Sequence, residues 1–124
     1  MSAMTTLATA RDALAVISGV NSCAIGLEAN IGPADYPLIR LVPSRLTPGK
    51  PYSGRTVEVL VYFGHATNLS EGLETVYANL FALESAIRSV IHNLGHRYVE
   101  TITDEDRLDA YKLMACRVDM VAPD

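Results

Sequence analysis

The chain has 124 residues, with 14 acidic and 10 basic side chains and a formal net charge of −4. That is the length of one domain with a core of ordinary size, and the acidic balance gives no support to a binder that works by neutralising phosphates with a basic stripe. Charged residues are only 19% of the chain, against roughly 25% in an average soluble domain, while apolar residues reach 49%. So small a chain has much surface to cover, and its low charge suggests that part of that surface is hidden by partners. Cys23 and Cys116 have no metal-ligand spacing and no export signal precedes them, so they read as free buried thiols in a reducing cytoplasm. Arg11 and Asp12 interrupt the N-terminal apolar stretch, which excludes a signal core or a membrane span there.

Taken in order, Thr5 or Thr6 can cap a first helix running to about Ser18, with Leu7, Ala10, Leu14 and Ile17 on one face and Ser18-Gly19 as its stop. Residues 22–29 suit a short strand weakened by Gly26, and residues 30–35 a turn. Tyr36 to Val42 reads as a second strand, with Pro37 marking a strand start or an edge. Residues 43–55 carry three prolines and two glycines and are expected to form a loop, which holds Arg45, Lys50 and Arg55 and no acid. Thr56 to Phe63 is β-branched and aromatic, the strongest strand signal in the chain, with both faces apolar enough to be covered.

A long helix follows over about 69–94. Leu73, Leu80, Ile87 and Leu94 recur every seven residues, and Val76, Tyr77, Leu83, Val90 and Ile91 fill the same face. Asn68 with Glu71, or Ser70, offers a cap, and Gly95 the stop. The opposite face carries Thr75, Ala78, Ala82, Ser85, Ala86 and Ser89 where a solvated helix would carry charge. It is expected to pack on the first helix or on another subunit. Glu84 and Arg88 are spaced to pair at i,i+4. His96 to Thr103 and Leu108 to Val121 then read as a hairpin around Asp104-Glu105-Asp106, with Met114, Cys116, Val118 and Met120 on one side and Arg117 and Asp119 on the other. The sum is a single α+β domain over 1–124: a mainly antiparallel sheet of four to five strands with the two helices on one face.

No motif for chemistry emerges. Gly49-Lys50 lacks the spacing of a phosphate loop, and neither a dinucleotide fingerprint nor a nucleophile elbow is present. His92 and His96 have the i,i+4 spacing of a metal pair, but Gly95 between them ends the helix and no further ligand is near. Cys116 lies on the apolar side of its strand, a poor place for a nucleophile served by His65. Neither a catalytic residue, a metal nor a cofactor is expected. One charge pattern remains: residues 43–55 carry +3, and residues 100–109 carry five acids against Arg107. Single-sign segments of opposite charge suit a head-to-tail contact between copies, though two solvated turns or a contact within one chain give the same pattern.

The element order, with Tyr36-Pro37-Leu38-Ile39-Arg40-Leu41-Val42-Pro43, a long basic segment, Val57-Glu58-Val59-Leu60-Val61-Tyr62, the helix to Leu94 and a closing hairpin, resembles the tail terminator (tail completion) proteins of long-tailed bacteriophages and prophages. The resemblance implies a homo-oligomer, a hexameric ring that caps the tail tube, stops its polymerisation and meets the head–tail connector. Such a protein would sit in the host bacterial cytoplasm during assembly and then in the virion tail, without sequence-specific nucleic-acid binding or a membrane. It implies no catalytic residues. Arg45, Lys50 and Arg55 are then expected at a neighbouring subunit or the tube, with Asp104, Glu105 and Asp106 as their acidic counterpart, or along a lumen that DNA passes without sticking. Alternatives are another neck or head–tail joining protein, or a small-molecule or enzymatic domain with Tyr36, Tyr62 and His65 about a pocket.

Overall fold

In the computed structural model, which describes residues 3–26, 35–48, 55–66, 72–104 and 111–122, the chain runs α1 (Ala3–Ala15), β1 (Ser22–Ile25), β2 (Leu38–Pro48), β3 (Arg55–Ala66), α2 (Leu73–Asn93), β4 (Arg97–Asp104) and β5 (Tyr111–Ala122). One five-stranded sheet has the order β1-β2-β3-β5-β4, and both helices cover a single face of it. The sheet is mixed. β1 runs parallel to β2, and the other three pairings are antiparallel. β3, the strand with the strongest sequence signal, occupies the centre.

Strand alternation assigns the two faces. Val57, Val59, Val61 and Phe63 of β3 face the helices and are fully buried, as are Ile39 and Leu41 of β2 and Cys116, Val118 and Met120 of β5. Leu7, Ala10 and Leu14 of α1 and Val76, Leu80, Leu83, Ile87 and Ile91 of α2 close the same core. Burying each such side chain stabilises the fold by about 1.5–3 kcal/mol. On the helix-free face, Leu60 and Tyr62 are partly exposed, so β3 is fully sealed toward the helices and largely covered on its other face.

Several boundaries move. The segment 43–55 is not a loop throughout: β2 continues through Pro43–Pro48, paired to β3 down to Arg55, with a bulge between Pro43 and Arg45. The bulge absorbs Ser44, whose hydroxyl donates to the Glu58 carbonyl at 3.0 Å, and this lets a proline-containing strand keep its ladder. Residues 49–54, Lys50 among them, lie outside the described residues. Strand β2 starts at Leu38, directly after Pro37, which satisfies the expectation of a strand start. Helix α1 stops at Ala15, short of Ser18.

Helix α2 begins later than expected. Its N-cap is Gly72, at φ 81°, a conformation only glycine adopts freely, and among the described residues no side chain caps it. The expected caps Asn68 and Ser70 lie outside the described residues. At the other end Gly95 stops the helix as expected. With φ 82° at Gly95, its N–H donates to His92 O at 3.0 Å and that of His96 to Ile91 O at 3.1 Å, the paired bonds of a Schellman turn. That turn delivers the chain to β4 at one edge of the sheet.

Candidate functional site

The ladder gives the sheet two ends. Arg55 pairs with Pro48 and Ala122 at one of them, and Arg45, exposed, sits three rows in, opposite Glu58. Asp104 is the last residue of β4 rather than part of a turn. It pairs with Leu113, which pairs with Gly64. Gly64 is nine residues along β3 from Arg55, so the basic and acidic positions stand about 30 Å apart at strand rise. A contact of Arg55 with Asp104 within one chain is thereby excluded. Glu105 and Asp106 lie outside the described residues.

The helix-free face of the sheet is charged near the basic end. Arg45, Glu58, Asp119 and Arg97 share one row across β2, β3, β5 and β4, which sets two carboxylates directly opposite each other. Arg117, two rows further on, relieves that repulsion: it donates to Glu100 Oε2 at 2.8 Å and to Glu58 Oε1 at 3.3 Å. Toward the middle of the face lie Leu60, Tyr62 and the exposed Ile102, with the buried Arg40 in the row of Tyr62 donating to Ser22 Oγ at 3.1 Å.

The outer face of α2 is the expected low-charge one. Thr75, Ala78, Ala82, Ser85 and Ser89 are exposed, so α1 is not what covers it. Ala82 and Ala86 only line a small groove of about 250 Å³ beside Ile17, Pro37 and His65. Sequence reasoning missed Phe81, which stands 57% exposed at the border of this face with its ring 6.0 Å from that of Tyr77. Helical spacing places Phe81 well off the core stripe, so its exposure was readable from the wheel.

Between α2 and β4 runs an open groove of about 960 Å³. Glu84, Arg88, His92, Arg97, Tyr98 and Thr101 are among its walls. The expected Glu84–Arg88 pair is not made. Glu84 Oε2 instead accepts a hydrogen bond from Thr101 Oγ1 at 3.2 Å, and Tyr98 Oη donates to Cys116 Sγ at 2.9 Å. Burial pushes the Cys116 thiol up to about 11 and raises Tyr98 as well, so both stay protonated at neutral pH. Such a thiol is not an activated nucleophile. Cys23 is also a free thiol and is likewise pushed to about 11 by burial, but it is half-buried rather than enclosed.

The enzymatic constellation does not assemble. Tyr62 and His65 have opposite parity on β3 and so project to opposite faces of the sheet. His65 pairs with Lys112 and Cys116 with Val61, four rows apart. No protein-family model matches this chain, and no curated protein does. Among the described residues no group of three or more His, Cys, Asp or Glu could hold a metal ion, and no helix is long and apolar enough to cross a membrane.

His96 gives this region a pH dependence. Its Nδ1 accepts the Val121 N–H at 3.3 Å, tying the end of β5 to the α2–β4 turn, and burial lowers its pKa below the usual 6.5. A protonated ring cannot accept that bond, and below the ordinary pKa the unfolded chain takes up the proton more readily than the folded one. Stability is expected to fall as pH drops below about 6.5, and less so in a His96→Gln variant. Urea midpoints at pH 7.5 and 5.5 for the two proteins check this; equal losses would remove His96 from the account.

Proposed function

We propose that this chain is a ring-forming structural subunit that acts as tail terminators of long-tailed phages do, capping a tail tube and offering a surface to the head connector. The observation that carries the reading is the separation of charge along the sheet: Arg45 and Arg55 toward one end, Asp104 at the other. Opposite charges about 30 Å apart on one rigid sheet cannot meet within the chain. They can meet between copies arranged head to tail, and such a heterologous contact closes into a ring where its rotation divides a full turn. The elements at the two ends add to the same polarity. Helix α2 has Glu74 in its first turn and His92 in its last, each complementing the helix dipole, with Arg88 one turn before the end.

Two further features support assembly. The exposed face of α2, with Phe81 among alanines and serines, has the apolar, charge-depleted character of an interface core. Residues 43–47 of β2 are exposed beyond the bulge and carry Arg45 and Leu46 outward, where a neighbour or the tube can reach them. The mechanism is steric. A finite ring covers the growing face of the tube with a surface that another tube subunit does not fit. Electron microscopy of the purified chain is expected to show closed rings, and rings at tube ends when tail tube subunits of the same virus are added. Particles with no closed outline would sink the reading.

A further inference from the structure

We propose that the groove between α2 and β4 is the receiving half of the contact between copies, and that its occupant is the acidic segment 104–109 of a second copy of this chain. The inference rests on the ring reading and names the site that reading leaves open.

The first observation is charge. Of the ionised groups in the groove, Glu100 is already held by Arg117 at 2.8 Å and Glu84 accepts from Thr101. Arg88 and Arg97 remain, both exposed, and among the described residues no carboxylate lies within ion-pair distance of either. The groove therefore presents two uncommitted guanidiniums at the basic end of the molecule. Segment 104–109, Asp-Glu-Asp-Arg-Leu-Asp, has four carboxylates against one guanidinium. Arginine forks suit carboxylates in a bidentate geometry.

The second observation is backbone. β4 is an edge strand of eight residues without proline, and among the described residues only β5 pairs with it. Its only irregularity is the bulge between Tyr98 and Glu100, which turns Val99 outward and leaves Glu100 to Asp104 as a regular edge. An extended segment lying in the groove can add to this edge by main-chain hydrogen bonds while its acids reach Arg88 and Arg97. The third is position. In each copy the acidic segment follows β4 at the end of the sheet opposite Arg97, so one copy supplies both halves and the contact propagates head to tail.

The test is a charge swap read by light-scattering mass in solution. Arg88→Glu with Arg97→Glu is expected to reduce the wild-type oligomer to the 13.4 kDa chain, and Glu105→Lys with Asp106→Lys to do the same. All four substitutions in one chain are expected to restore the wild-type mass, which a merely misfolded variant would not do. If the oligomer persists in the Arg88→Glu/Arg97→Glu chain, the groove is not the receiving site, although the ring reading stands. If the wild-type chain is itself a monomer, both fall together.

Discussion

Phe63→Ala is expected to lower the free energy of unfolding by about 3–5 kcal/mol. Phe63 is among the largest fully buried side chains and sits on the central strand, with Ile39 and Met114 as its cross-strand partners. Sheet neighbours hold it on two sides and the helices close over it, so the space left by the ring has no flexible side to collapse from. A domain of this kind is stable by about 5–15 kcal/mol in total, so the loss is a large share. Phe63→Leu keeps most of the volume and is expected to cost distinctly less. Urea denaturation of the three proteins measures both. A cost for Phe63→Ala below about 1 kcal/mol would mean that the strand is not the core of the sheet.

Phe81→Lys is expected to do the reverse: little to the fold, everything to the assembly. Phe81 is 57% exposed, with its ring 6.0 Å from that of Tyr77, so its loss should cost no more than about 1 kcal/mol. A lysine beside Ala78 and Ser85 would force a desolvated charge into any contact that buries position 81. The variant should melt within a few degrees of the parent yet run at a smaller mass. Unchanged mass would leave the α2 face as ordinary solvated surface. The two phenylalanines thus separate what holds the chain together from what the chain holds on to.

Much of the fold was legible because its signals are local and periodic. The seven-residue recurrence of Leu73, Leu80, Ile87 and Leu94 could only be a helix, and Met114, Cys116, Val118 and Met120 alternate as a strand must. The extension of β2 was hidden because its residues argue against a strand: Pro43 and Pro48 remove ladder donors, and only the bulge at Ser44 and pairing to the strongly β-prone Val57 keep the strand going. Tertiary pairing there overrides local propensity. Start of α2 was misplaced for a related reason. Asn68 and Ser70 have the chemistry of caps, whereas Gly72 takes the position through its backbone freedom alone.

The candidate contact residues were legible in kind and not in place. Composition showed that Arg45, Lys50 and Arg55 form one charge block and Asp104, Glu105 and Asp106 another, but their separation along the sheet is a property of strand register. Arg88 and Arg97 were not singled out for such a contact, since Arg88 reads as the i,i+4 partner of Glu84 until Thr101 is seen to occupy that carboxylate.

Native mass spectrometry of the full chain tests the central claim most directly. A closed ring predicts one discrete species at a whole-number multiple of 13.4 kDa, six-fold for a ring of the terminator kind, unchanged as concentration rises. A single copy at every concentration, or an unbroken ladder of masses, would contradict it.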